Sequence, residues 1–177
     1  MRIALFAAGT VIALASACGG SSSSQANQSA ASMNAAVGVA AAKPLTGAQA
    51  LAVMHERHEG MEDIGKNNKV LHRELAGSSP DLAAVRKAAA TIARHSSEAS
   101  RWFPRGTGPE IGKTGAKPEI WQNPQDFAVK LHNFQVSANI FNAAAKGNNV
   151  DLIKARYADL GGTCKACHDK YRSEMHH

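Results

Sequence analysis

A chain of 177 residues with three cysteines, 5% aromatic residues and a formal net charge of +6 has room for one ordinary domain plus appendages. Its Ala-rich composition, with almost no runs of β-branched residues, favours helices over strands. The basic residues are scattered rather than massed on one face, the pattern of a solvated surface, and this argues against a nucleic-acid partner.

The N-terminus reads as an export signal. Arg2 supplies a short positive region, and Ile3 to Leu14 form an apolar core too short to span a bilayer. Ala15-Ser16-Ala17-Cys18 then resembles a bacterial lipobox. It predicts a signal peptide over 1–17 and a lipid on Cys18 that anchors the mature chain to a membrane. Ala15 stands where Leu is preferred, so plain cleavage after Ala17 is the competing expectation. Residues 18–44 follow as a tether, a Ser/Ala/Gly/Asn/Gln tract without charge before Lys43. The folded domain is expected over 45–177.

Four helices are predicted there. Thr46 with Gln49 forms a capping-box start; Met54, Met61, Ile64, Leu71 and Leu75 follow at helical spacing, and Gly77 ends the element. Ser79-Pro80 is read as the cap and first-turn proline of a second helix, with Leu82, Val85, Ala89, Ile92, Ala99 and Phe103 on one stripe before Pro104. Asn123-Pro124 opens a third helix, whose stripe runs Phe127, Leu131, Phe134, Ala138, Phe141, Ala145 and closes at Gly147. Asn148 or Asn149 caps the last, with Val150, Ile153, Tyr157, Leu160, Cys164, Cys167 and Tyr171 in the same repeat. Such 3-4 repeats predict an all-α fold, an antiparallel four-helix bundle. Pro104 to Asn123, rich in Gly and Pro, is expected to be non-helical, and a loop of that length in a compact domain normally covers something.

The chemistry is concentrated in Cys164-Lys165-Ala166-Cys167-His168. C-x-x-C-H is the attachment signature of c-type haem: two thiols add to the haem vinyl groups and the imidazole binds iron from one face. A zinc site would want a fourth clustered ligand, and a thioredoxin-like pair would want a βαβ unit; neither pattern accompanies the motif. With one cysteine for lipid and two for haem, none remains for a disulfide. Both cysteines fall on the core stripe of the last helix, which puts the haem inside the bundle. Gly161-Gly162, one turn earlier, is read as a close-approach point or a kink.

Three separated stretches resemble the cytochrome c′ family, the class II c-type cytochromes. They are the haem segment Cys164 to Arg172, the loop pieces Phe103 to Gly108 and Ala116 to Trp121, and Arg57 followed four places later by Met61. The resemblance covers Leu45 to His177 and implies one haem c per chain. It implies that His168 and Met61 lie on the two iron faces, that Arg57 pairs with a haem propionate, and that Arg172 sits near the His168 side. Trp121 is expected against a haem edge or in the core. His58, where Gln is common, and the lipobox are departures from the family pattern.

The family's low-spin branch ligates iron through a methionine at the position of Met61. This gives the leading expectation: a periplasmic, membrane-tethered electron carrier with His/Met ligation, no catalysis of its own, and redox proteins as partners. The alternative is a five-coordinate cytochrome c′ that binds nitric oxide or carbon monoxide, with Met61 only packing. Met54 is a reserve ligand. A peroxidase would need a distal acid-base group, for which only His58 is at hand. His72, His95 and His132 are read as surface or interhelical, Lys165 and Lys170 as a weak docking patch. A homodimer through helices one and two is what the resemblance allows.

Overall fold

The computed structural model describes residues 44–174, so the expected export signal, the lipid site at Cys18 and the tether up to Lys43 lie outside the described residues. Five helices occur among them: α1 (Gly47–Ala76), α2 (Leu82–Glu98), a short α3 (Glu119–Gln122), α4 (Pro124–Ala145) and α5 (Val150–Tyr171). The capping box of α1 is present: the Gln49 N–H donates to Thr46 Oγ1 at 3.3 Å and the Thr46 N–H to Gln49 Oε1 at 2.9 Å. Asn149 caps α5, accepting the Leu152 N–H at 3.0 Å.

Three expectations need correction. The second helix is capped by Asp81 rather than Ser79: its Oδ1 accepts the N–H groups of Ala83 and Ala84 at 2.8 and 3.1 Å. A carboxylate at this position also meets the positive end of the helix dipole. The helix stops at Glu98 and tightens into a 3₁₀ turn at Ala99–Arg101 before reaching Pro104. The long segment before α4 is not wholly irregular either, since Glu119–Gln122 makes one helical turn.

The four long helices pack as neighbours, α1 on α2, α2 on α4 and α4 on α5. Their apolar stripes meet in one core in which Leu71, Val85, Ile92, Phe141 and Ile153 are fully enclosed. Alanines at 88, 89, 138 and 145 let the backbones approach. The fourth side, between α1 and α5, is different. It is fastened only where α1 ends and α5 begins: the Tyr157 hydroxyl lies 3.0 Å from Asn68 Oδ1, and Lys154 Nζ donates to Gly77 O at 3.2 Å. Along their length the two helices are not among the closely packed pairs. The bundle therefore has three closely packed seams and a looser fourth one between α1 and α5.

A second cluster lies at the Cys167 end of α5. Ile120, Phe127 and Tyr171 are buried there with Phe103, Trp121 and Cys167 against them. Phe127 meets Phe103 and Tyr171 edge-on, with centroids 4.8 and 5.2 Å apart, the geometry that the ring quadrupole favours. The Tyr171 hydroxyl donates to Asp126 Oδ2 at 2.5 Å, and Lys170 Nζ reaches the same oxygen at 2.9 Å, tying the end of α5 to the first turn of α4. These two donors hold the Asp126 carboxyl below the ordinary aspartate range.

On the far side, Trp102 lies against α1 with 1% of its surface exposed. It fits because position 60 is glycine: a Cβ there would overlap the indole ring. His95 bridges the same two helices, its Nε2 at 2.7 Å from Asp63 Oδ2 and its Nδ1 at 2.8 Å from Glu98 Oε2. His72 and His132 are exposed.

Gly60→Ala is expected to cost about 1–3 kcal/mol by overpacking, read as a lower denaturant midpoint, and the penalty should shrink when Trp102 is also replaced by Leu. Because the Asp126 carboxyl is depressed in the fold, its contribution is present above the ordinary aspartate pKa and is lost as pH falls through the folded value. Thermal midpoints of the native protein should therefore drop below about pH 4 more steeply than those of Asp126→Asn.

Candidate haem site

Helix α5 runs unbroken through Gly161-Gly162 to Tyr171, so the glycine pair does not interrupt it. A Cβ added at either glycine would meet no protein atom within 4 Å; protein packing does not demand their small size. Cys164 packs against the main core and Cys167 against the aromatic cluster. Both are half-buried free thiols, and burial pushes both above the usual cysteine range. Two neutral thiols one turn apart, facing inward beside the looser seam, present the pair of nucleophiles that covalent haem attachment uses.

His168 follows on the exposed side of the same turn. Enough protein surrounds its ring that burial, and then the Arg172 guanidinium, push the imidazole below its ordinary value. This favours the neutral form, the only one with a lone pair for a metal. Arg172 itself is exposed and its backbone pairs with Ala116 in an isolated antiparallel bridge.

Across the seam, the antiparallel register can be followed from the Tyr157–Asn68 contact. Seven residues onward from Tyr157 is Cys164, and seven back from Asn68 is Met61. The two thus stand level across the α1/α5 seam. Met61 is half-buried and belongs to neither core cluster. Met54 is buried and covered by the loop, close enough that a Cβ added at Gly112 would lie 3.6 Å from its Cε, so packing accounts for it. His55 and His58 are exposed, and His58 Nε2 lies 3.2 Å from Glu62 Oε1 on its own helix.

Arg57 holds the least foreseen position. It is 5% exposed and spends four of its five N–H donors on the 102–114 segment. Nη1 donates to Trp102 O at 3.0 Å and Thr107 Oγ1 at 3.3 Å; Nη2 donates to Thr107 O at 2.9 Å and Thr114 Oγ1 at 3.0 Å. The guanidinium also lies 5.1 Å from the Phe103 ring centroid and 5.9 Å from that of Trp121. No carboxylate is among these partners, and burial lowers its pKa. Only Nε remains outside this set for a haem carboxylate. Trp121 likewise turns its indole N–H inward, to Phe103 O and Pro104 O at 3.2 and 3.0 Å, while its ring sits in the second cluster.

The loop is also fastened to the end of α5. The Lys117 N–H donates to Tyr171 O at 3.0 Å, and the Ser173 N–H to Gly115 O at 2.9 Å. It therefore reaches from α1 to α5. Among the described residues no group of three His, Cys, Asp or Glu side chains converges as a metal cluster, which leaves the zinc alternative without a ligand set there. Two half-buried thiols and an adjacent imidazole held toward its neutral form, on a helix that borders the loosest seam of the bundle, fit a haem c.

Sequence reasoning missed Thr107 and Thr114 as partners of Arg57, and Trp102 as the side chain that fills the space at Gly60. Hydroxyls in a Gly/Pro-rich loop carry no periodic signal; a glycine in mid-helix four residues after Glu56 was the only trace of the Trp102 contact.

Comparison with known proteins agrees with this geometry. The family model described as Cytochrome C' matches residues 52–172. A cytochrome c' of Allochromatium vinosum is 30% identical over 142 residues, covering 78% of this chain and 92% of that protein. Among solved structures, a cytochrome c' described by its ligand-controlled dimer dissociation superposes with a TM-score of 0.65 at 29% identity, over 74% of this chain and 99% of the other. A variant of the Alcaligenes xylosoxidans cytochrome c prime, solved as its nitric oxide complex, gives 0.64 at 26% identity, over 71% and 97%. With its thiols and imidazole in the family's order, this chain belongs to the cytochrome c′ family, the class II c-type cytochromes, and carries one covalently bound haem c.

Proposed function

We propose that this protein binds small diatomic gases, nitric oxide or carbon monoxide, on the haem face opposite His168, with Met61 standing over that face as an apolar, non-bonding side chain. The observation that carries the reading is the loose packing of α1 on α5 compared with the other three sides of the bundle, with Met61 and Cys164 level across that seam by the register of the Tyr157–Asn68 contact. Similarity to a relative solved with nitric oxide supports it. Cys164, Cys167 and His168 would hold the haem, which would supply an iron able to exchange one electron and to take up a small gas. The protein's own residues do the rest. Cys164 and Cys167 keep the group from dissociating, His168 is neutral and available, and Arg172 puts a fixed positive charge near the His168 side. The aromatic cluster around Phe127 and Tyr171 excludes water from one end of the slot.

A second reading is electron transfer with Met61 as a further iron ligand; the same register supports it, since a thioether level with Cys164 is what such a ligand would require. It requires a redox protein as partner. Under either reading the chain is exported, with 1–17 as signal peptide and Cys18 as the lipid anchor to a membrane; among the described residues no helix is long and apolar enough to cross one. A second copy of the chain is the other partner this reading admits, in keeping with the dimeric relative.

Carbon monoxide separates the readings. The reduced protein should take it up rapidly with a shift of its main visible absorption. A reduced protein that ignores the gas, with a sulfur-to-iron charge-transfer band when oxidised, supports Met61 ligation instead. Met61→Ala should leave the native spectrum nearly unchanged while speeding carbon monoxide uptake; a low-spin to high-spin conversion would identify Met61 as a ligand. Mass analysis of the mature protein should find acyl chains on Cys18, and an unmodified N-terminus would withdraw the anchor.

A further inference from the structure

We infer that Arg57 is a positioning residue that latches the 104–118 loop across the looser α1/α5 seam and thereby limits the access of small ligands to the haem. The inference rests on the gas-binding reading above for its purpose.

Three observations on different parts of the fold lead to it. The first is the guanidinium itself. A buried cation is costly unless its donors are satisfied, and Arg57 satisfies four of them: one with Trp102 O and three with loop oxygens, Thr107 O and the hydroxyls of Thr107 and Thr114. Such charge-assisted hydrogen bonds are each stronger than neutral ones, so the loop gains a strong attachment to α1. The second is the other end of the same loop. Gly115 and Lys117 pair with Ser173 and Tyr171, so the segment is tied to α1 at Thr107 and Thr114 and to α5 immediately beyond the haem motif. The third is the seam. Those two helices are not among the closely packed pairs, and the loop joins them through Arg57 on one side and Tyr171 and Ser173 on the other.

The register sharpens the point. Arg57 is one helical turn before Met61, so the latch on α1 lies directly beside the residue that stands over the second haem face. Releasing the guanidinium would free the loop on the α1 side while leaving the α5 side paired. The loop would swing from its α5 attachment and the slot would be reached from solvent at the level of Met61. Lysine is a poor substitute, since its single ammonium cannot span Trp102 O, Thr107 and Thr114 at once.

The test uses the haem-loaded protein in a Met61→Ala background, so that the second face is open whichever ligation the native protein has. Amide hydrogen exchange over residues 106–117 and the association rate of carbon monoxide with the reduced protein are measured together. They are compared for Arg57, Arg57→Lys, Arg57→Gln and, as a milder change that keeps the guanidinium, Thr114→Val. Arg57→Gln should raise loop exchange about tenfold or more and carbon monoxide association several-fold. Arg57→Lys and Thr114→Val should fall between, and exchange in the core of α4 should stay unchanged. Unaltered loop exchange in Arg57→Gln and Thr114→Val overturns the latch, even if the gas rate changes. Faster loop exchange with an unaltered gas rate overturns the access role. A native protein that ignores carbon monoxide overturns the open-face reading instead, and the comparison in the Met61→Ala background still decides the latch.

Discussion

Two thiols one turn apart on the inner side of α5 commit that helix to a partner that is not protein. Helix α5 packs closely on α4 but only loosely on α1, which it meets through Tyr157 and Asn68. Three seams filled by alanine and large aliphatic or aromatic side chains give the bundle its rigidity. The fourth gives it a slot, and the rest of the molecule is arranged around keeping that slot in shape.

What keeps it in shape is the material between α2 and α4. Phe103, Ile120, Trp121 and Phe127 form a small core of their own with Tyr171, which fastens the loop to the helix that carries the haem motif. Arg57 fastens it to the opposite helix. A cation in that setting has a double use. Its plane lies near two aromatic rings, where the ring quadrupole compensates part of the desolvation, and its fork of donors fixes several loop oxygens at once. The family resemblance assigned this residue to a propionate. Here nearly all its hydrogen-bonding capacity goes to the loop, which leaves that assignment to Nε alone.

The helices were legible because their signals are local. Thr46 with Gln49, Pro124 and the 3-4 stripes of Phe127 to Ala145 each settle within a turn or two of chain. The capping error at the second helix is instructive: Ser79-Pro80 and Asp81 both offer cap chemistry, and the carboxylate prevailed because its oxygen reaches two N–H groups. The early end of that helix has a tertiary cause, since Trp102 must turn back onto α1 to fill the space left by Gly60.

The sequence by itself determined the all-α class, the order of the helices, the haem attachment residues and the identity of the family, because spacing along one helix and a five-residue motif carry that information without reference to the rest of the chain. Only the tertiary structure decided where the loop goes, that Arg57 is buried against Thr107 and Thr114, and that α5 meets α1 through Tyr157 and Asn68. Those facts rest on contacts between residues some fifty to a hundred positions apart, and no local propensity or periodicity encodes which distant oxygen a guanidinium will find once the helices have packed.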